Sequence, residues 1–310
     1  MSFALVTYRD GNEIRLGILT GPSQDGNEAV PPGRVSRVLA PPELKRWPAM
    51  LDLLDDWAAA SELLAGLDLS DVPVAEPAEL LTPVSYPRKV LCAGVNYRKH
   101  IREMGGDVPG AGWVPFFFLK PPSTAVAGPF DPIVIRDQER ARYDWEAELA
   151  VVVGAGGRNI PAGEALSHVA GYAVANDVTA RGYHRRAEVP AEPFRYDWVA
   201  AKAADSSLPL GPGVTPAWFV PDPQALRLRL WVNGELQQDE STADMICPVD
   251  QLVAAASSFV TLEPGDVIAT GTPSGVGAGR GRYLKHGDLV TVAIDGLGQI
   301  SNRVVDAERS

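Results

Sequence analysis

Only two cysteines, Cys92 and Cys247, occur in 310 residues, each alone among apolar neighbours. Two thiols cannot build a disulfide framework or a thiolate zinc site, so both read as inert core residues. No segment approaches the roughly 20 uninterrupted apolar residues of a membrane-spanning helix. The start MSFALVTYRDGNEIR has no basic stretch followed by an apolar run, so no signal peptide is expected and a cytoplasmic location follows by default. Basic residues are in deficit, with 28 Lys and Arg against 39 Asp and Glu and a net charge of −11. Such a chain, without a Lys/Arg cluster, repels phosphate backbones, and neither a nucleic-acid nor a membrane partner is expected. The G-x-S-x-G nucleophile elbow is missing, which disfavours a serine hydrolase of that kind. The glycines of IATGTPSGVG fit neither the phosphate-loop ending nor the dinucleotide pattern, since Arg280 stands where a third glycine belongs.

What is abundant is punctuation. Thirty glycines and 27 prolines argue for many short strands and turns and against a helical bundle. Alternating residues around Asp10-Gly11 predict an opening hairpin. A Gly/Pro-rich loop runs from Gly21 to Gly33. The stretch from Trp47 and Pro48 to Leu67 predicts a core-facing helix with Leu51, Leu54, Trp57 and Ala58 inward and Asp52, Asp55 and Asp56 off that stripe. Prolines 73, 77, 83 and 87 mark a linker, which places a boundary near Ser85 between a small N-terminal α/β domain (1–85) and a catalytic domain (86–310). Beyond it, RKVLCAGVN, WVPFFFLK, IVIRD, EAELAVVVG and HVAGYAVAND read as strands. Asn233-Gly234 marks the strongest hairpin, a helix runs from Val249 to about Val260, and GDVIAT and GDLVTVAIDGLGQISNRVV close the chain as strands. The expected fold is α+β, mainly β, with a mixed or rolled second domain.

Glu146 and Glu148 lie two apart on one of these strands, hence on one face about 7 Å apart. The apolar run that follows predicts burial, where carboxylates need a positive partner. Asp177 ends another apolar strand, and three acids without Cys or His select a hard oxygen-loving cation. His100 and Glu103, three apart on a helical turn, can form a general-base pair. Lys202 precedes a Pro/Gly turn and could stabilise a developing enolate or bind a carboxylate. The turn IATGTPSGVG offers backbone N–H groups and the Thr272 hydroxyl to an anion. His168, His184 and His286 read as solvated and receive no role.

The order NYRKH-x-x-E, FLKPPS, DWEAEL, NDVTAR, K-x-x-D-x-x-x-P-L-G-P, TGTPSGVG and LKHGDLVTVAIDGLGQISNRVV resembles the fumarylacetoacetate hydrolase family, from about Lys89 to Val305. The resemblance implies a dimeric enzyme with a β-roll or β-sandwich catalytic domain, holding Mg²⁺ or Mn²⁺, with Ca²⁺ a further option, through Glu146, Glu148 and Asp177. It implies that Lys202 is the active-site lysine and that His100 with Glu103 is the water-activating dyad of a mobile lid. It also implies that Thr272, with Gly271 and Lys120, contacts a small 2-keto or β-diketo acid. The chain departs from the family at Gly182, where Asp is usual, and at Ala204, where Phe is usual. The loop from Tyr183 to Val199 is also unlike common members.

The leading expectation is hydrolysis of a C–C bond in a β-diketo acid or acylpyruvate through a metal-stabilised enolate. The alternatives are decarboxylation or keto–enol isomerisation of a 2-keto dicarboxylate such as oxaloacetate, and a non-catalytic metal-binding scaffold.

Overall fold

The computed structural model describes residues 2–21, 38–75, 79–110 and 112–307. Beyond Gly21, the loop read as Gly21 to Gly33 lies outside these residues, as does Pro77. Strands β1 (Phe3–Asp10) and β2 (Glu13–Thr20) form the opening hairpin around Gly11-Asn12, with Asp10 paired to Glu13 and Gly11 at φ +60°. β3 (Val38–Leu39) pairs with β2. The single expected helix is two, α1 (Met50–Asp55) and α2 (Trp57–Ala65). The break falls at Asp56, whose carboxylate accepts from Trp47 Nε1 at 3.1 Å and Arg46 Nη2 at 3.0 Å. It turns the second helix, so that Met50, Leu53, Leu54, Ala60 and Leu64 are buried while Ala58 is exposed. The inward stripe is therefore offset from the one the periodicity predicted. β4 (Val74–Ala75) pairs with β3, and β5 (Glu79–Leu80) pairs with β1.

Next come β6 (Val90–Gly94), α3 (Arg98–Glu103), β7 (Phe116–Leu119), β8 (Val126–Ala127) and β9 (Ile133–Ile135). The turn α4 (Gln138–Ala141) leads into β10 (Tyr143–Asp144) and β11 (Ala147–Val153). After α5 (Ala162–Ala165) follow β12 (Val169–Asn176), β13 (Thr179–Ala180), α6 (Arg181–His184), α7 (Trp198–Lys202) and β14 (Leu208–Pro216). The chain ends with the hairpin β15 (Arg227–Val232) and β16 (Glu235–Ser241), α8 (Val249–Phe259), β17 (Val267–Ala269), β18 (Leu289–Ile294) and β19 (Gly298–Asp306).

Among the described residues there are two main sheets, one ordered β4-β3-β2-β1-β14-β12-β11-β17-β6-β7 and the other β16-β15-β18-β19-β9, and a two-stranded third made of β10 and β13. The fold is mixed α and β, with strands predominating. β11 and β12 are buried along their whole length, as their apolar runs require. Alternate residues of β11 feed two cores. Leu149 and Val151 pack with Leu228, Leu230 and Val292 of the second sheet, while Ala150 and Val152 join Leu53, Leu54 and Leu64 under the N-terminal helices. Each fully buried Leu or Val in these layers contributes roughly 1.5–3 kcal/mol. β1 pairs with β14 at Leu5 and Val214, so the large sheet is continuous across Ser85 and the division there stays a proposal about folding units.

The pairing that matters for function is β11 with β12. It is antiparallel with Ala147 opposite Asn176, so the start of one strand meets the end of the other. This sets Glu146 and Glu148 beside Asp177, whose N–H donates to Glu146 O at 2.9 Å.

Candidate metal centre and cavity

One carboxylate oxygen from each of Glu146, Glu148 and Asp177 lies within 4.8 Å of the others, and all three residues are buried. Three buried anions at this spacing repel one another and are costly unless compensated. Lys202, at the end of α7, places Nζ 2.6 Å from Glu146 Oε2 and 2.6 Å from Asp177 Oδ2. The helix is set by Asp197, whose side chain accepts from Ala200 N at 2.9 Å. Arg181 opens α6 and donates from Nη2 to Glu146 Oε1 at 2.5 Å and from Nε to Asp144 Oδ2 at 2.9 Å. Lys120 Nζ lies 2.9 Å from Asp177 Oδ1 but gives its hydrogen bonds to Val178 O, Ser207 O and Ser207 Oγ. Asp177 Oδ1, although buried, accepts no hydrogen bond from any described residue.

The charges divide the three acids. Burial pushes the Glu146 carboxyl upward, yet Lys202 and Arg181 outweigh it and hold the group at about 2. Among the described residues Glu148 accepts only the Gly271 N–H, at 2.8 Å, and burial together with the charges of Asp177 and Glu146 outweighs Lys202 and drives it well above the usual carboxylate range. Burial pulls the Lys202 ammonium down, but Asp177 and Glu146 raise it further, so it stays protonated. Four buried carboxylates, with Asp144 included, face three cations. The donor set fits a hard divalent cation because it is all oxygen, carries excess negative charge, and includes a buried oxygen, Asp177 Oδ1, that meets the Lys120 charge without accepting a hydrogen bond from a described residue.

The triad borders a cavity of about 250 Å³ that also touches His100, Phe116, Trp198, Arg181 and Thr272. His100 Nδ1 lies 3.3 Å from Glu103 Oε2. Both Glu103 oxygens accept from Gly275 N at 3.0 Å. Burial raises the Glu103 carboxyl, but the His100 hydrogen bond and the Gly275 N–H outweigh this and lower it.

Four N–H groups of the Gly-rich segment are given to carboxylates of the chain itself. Gly271 N donates to Glu148, Gly275 N to Glu103, and Gly277 N and Ala278 N to Asp144 at 2.6 and 3.0 Å. The Thr272 hydroxyl, read as available to an anion, donates its proton to Ala147 O at 2.9 Å. Gly271, at φ +93°, orients the Glu148 carboxylate from the edge of the site. Lys120, expected to contact substrate, is fully buried behind Asp177 and does not border the cavity.

His184 corrects the reading of three solvated histidines. It borders the cavity, its ring lies edge-on to Trp198 at 4.4 Å, and its buried Nε2 has no hydrogen-bond partner among the described residues. Burial, then Arg181 and Lys202, lower its pKa and favour the neutral ring. His286 is exposed, and His168 Nδ1 meets Ala155 O at 2.8 Å. A β-carbon at Gly182 would lie 1.8 Å from Arg140 O, so the aspartate usual in the family has no room on this backbone. Ala204 packs partly buried against the core between the sheets.

Residues 89–305 match the family described as Fumarylacetoacetate (FAA) hydrolase C-terminal. The chain belongs to the fumarylacetoacetate hydrolase family. It is 44% identical to oxaloacetate tautomerase fahd2, mitochondrial, of Xenopus laevis over 228 residues, covering 73% of this chain and 68% of that one. The solved fumarylacetoacetate hydrolase of Exiguobacterium antarcticum superposes with a TM-score of 0.79 at 32% identity, over 98% of this chain and 100% of that one. Maleylpyruvate hydrolase from Sphingobium sp. SYK-6, in complex with manganese (II) ion and pyruvate, gives a TM-score of 0.70 at 30% identity, over 98% of this chain and 99% of that one. Among the described residues no helix is long and apolar enough to cross a membrane.

Proposed function

We propose that this enzyme is a divalent-metal-dependent keto–enol tautomerase of a small 2-keto dicarboxylate, with oxaloacetate the candidate substrate. The observation that carries the reading is the meeting, in one cavity of about 250 Å³, of the buried carboxylate triad, the His100–Glu103 pair and the cations Arg181 and Lys202. That volume falls below the roughly 300–1,000 Å³ of pockets for drug-sized ligands. A compact dianion suits such a space. The named activity of the Xenopus relative supports the same choice.

A divalent cation held by Glu146, Glu148 and Asp177 would supply Lewis-acid polarisation of a keto oxygen. The rest falls to the chain's own groups. Tautomerisation from enol to keto removes a proton from the enol oxygen and adds one to the neighbouring carbon. Glu103, fixed by Gly275 N, holds His100 Nδ1 as donor and leaves Nε2 to carry a proton between those atoms. Lys202 stays charged and stabilises the enolate electrostatically rather than acting as a base. Arg181 has N–H groups beyond those given to Asp144 and Glu146, and with His184 it faces the second carboxylate. Phe116, Phe118 and Trp198 line one wall of the cavity with packed aromatic surface. The proposal includes a homodimer, supported by the exposed apolar side chains of Leu119 on β7 and Val199 on α7; light scattering tests it.

Hydrolysis of an acylpyruvate is the second reading. It is favoured by the dyad, which could activate water, and by the match to maleylpyruvate hydrolase along nearly the whole chain. Ultraviolet absorbance of the oxaloacetate enol in Mn²⁺ buffer, beside an acylpyruvate panel in ¹⁸O water, separates the two. The tautomerase reading expects enol decay faster than in buffer with Mn²⁺ alone, and no acid released from the panel. Unaccelerated enol decay with ¹⁸O in a released acid would replace it with hydrolysis. No turnover of either, with Mn²⁺ bound, would leave the scaffold.

A further inference from the structure

Ala147 sits between the two glutamates, and its peptide groups are held by a closed ring of hydrogen bonds. Its N–H donates to Gln238 Oε1, Gln238 Nε2 donates to Thr272 Oγ1, and the Thr272 hydroxyl donates to Ala147 O, each at 2.9 Å. The members come from β11, β16 and the turn after β17. The other Gln238 Nε2 proton goes to Pro273 O at 2.9 Å. A flipped amide would set donor against donor at Ala147 and acceptor against acceptor at Pro273, so the orientation is fixed by its neighbours. Gln238 and Thr272 are both buried, with Thr272 at the margin of the cavity.

The ring stands where a strand is missing. On one side β11 continues its ladder with β12 down to Ala147. On the other side β17 pairs only with Ala150, Val151 and Val152, and Thr270 N extends this to Leu149 O at 3.0 Å. In an antiparallel ladder a residue's N–H and C=O point to the same side. Those of Ala147 point beyond the end of β17, and two side chains take the place of the absent neighbour. Two local features bring them there. β16 pairs Gln238 with Leu230 and Leu236 with Trp231, which leaves Gln237 as an extra residue, and such bulges re-aim side chains. The turn can lie against β16 because Gly275 has no side chain; a β-carbon there would meet Gln237 O at 2.2 Å.

We propose that Gln238 and Thr272 are positioning residues for the divalent cation. By holding the backbone at Ala147 on the side away from β12 they complete the restraint that sets the separation of the Glu146 and Glu148 carboxylates. The inference rests on the reading of Glu146, Glu148 and Asp177 as a cation site. Neither residue needs to touch the ion or the substrate to act in this way.

Titration of Mn²⁺ into the full chain, with the free ion followed by electron paramagnetic resonance, tests it. Circular dichroism and urea unfolding of the metal-free proteins report the fold. Thr272→Val and Gln238→Leu are expected to bind Mn²⁺ about ten- to a hundredfold more weakly than wild type, as for other groups that orient metal ligands. Thr272→Ser keeps the hydroxyl and is expected to bind as wild type does. The double variant is expected to lose no more than the weaker single one, because both substitutions open one ring. Undiminished affinity in Thr272→Val, or an equal loss in Thr272→Ser, would overturn the proposal. Should Gln238→Leu fail to fold, the Val and Ser variants at 272 decide alone. A wild type that takes up no Mn²⁺ overturns the cation site and this inference together. Wild-type binding that Thr272→Val leaves unchanged overturns only the role of the ring.

Discussion

Both carboxylate oxygens of Glu103 lie 3.0 Å from the backbone nitrogen of Gly275, so helix α3 is tied to the Gly-rich turn through the residue that orients His100. His100→Ala is expected to lower turnover by about 10²–10⁴ while Mn²⁺ affinity stays close to wild type. Glu103→Gln is expected to fall between the two, since an amide can still meet the imidazole but no longer fixes its proton. Steady-state rates beside a Mn²⁺ titration check this. Wild-type turnover in His100→Ala would remove the dyad from the mechanism.

The same contact sets a pH dependence. Glu103 is lowered from its ordinary value of 4.5 in the folded chain, so it binds a proton more weakly there than in the unfolded chain. Its contribution to stability is therefore full at neutral pH and is lost as pH falls through the carboxylate range. Urea unfolding should show wild type more stable than Glu103→Gln near neutrality, with the gap closing in acid. A gap of constant size would contradict it.

Lys202 stands between two of the three acids, and its removal uncovers them. Lys202→Met is expected to destabilise the metal-free protein by about 3–5 kcal/mol, the usual consequence of leaving buried charges unpaired. Added Mn²⁺ should then restore more stability to the variant than it adds to wild type. Urea midpoints with and without Mn²⁺ measure both effects. Equal gains would mean that lysine and ion do not compensate the same charge.

Some of this was legible in the sequence and some was not, for physical reasons. Many strands of the two main sheets, the Asn233-Gly234 hairpin and helix α8 follow from period and turn residues, which are local signals. Strand β14 does not: its LPLGPGVTP read as a Pro/Gly turn after Lys202, and only pairing with β1 and β12 makes it a buried strand. The gathering of Glu146, Glu148 and Asp177 could be anticipated because buried acids at strand ends need a common partner. The break at Asp56 could not, because it depends on Trp47 and Arg46 reaching back to that carboxylate. His184 was hidden by its basic neighbours Arg185 and Arg186; only packing on Trp198, fourteen positions away, takes it out of solvent. The direction of the N–H groups in the Gly-rich turn was equally unreadable, since the acids that accept them lie far away in sequence.

Gly182 carries a steric prediction. With Arg140 O at 1.8 Å from the place of a β-carbon, Gly182→Ala must move the start of α6 and with it Arg181. A loss of about 1–3 kcal/mol, the range for overpacking, is expected. Weaker binding of a dicarboxylate should accompany it. Urea unfolding and KM for oxaloacetate report the two effects. An unperturbed variant would mean that the backbone at 140 and 182 yields without cost.

The most direct test is Mn²⁺ binding by wild type and Asp177→Asn, measured side by side on folded, metal-free protein. The expected result is one ion per chain in wild type and a large loss of affinity in the variant, whose secondary structure is retained. No uptake by wild type, or equal uptake by both, would contradict the placing of a divalent cation at Glu146, Glu148 and Asp177.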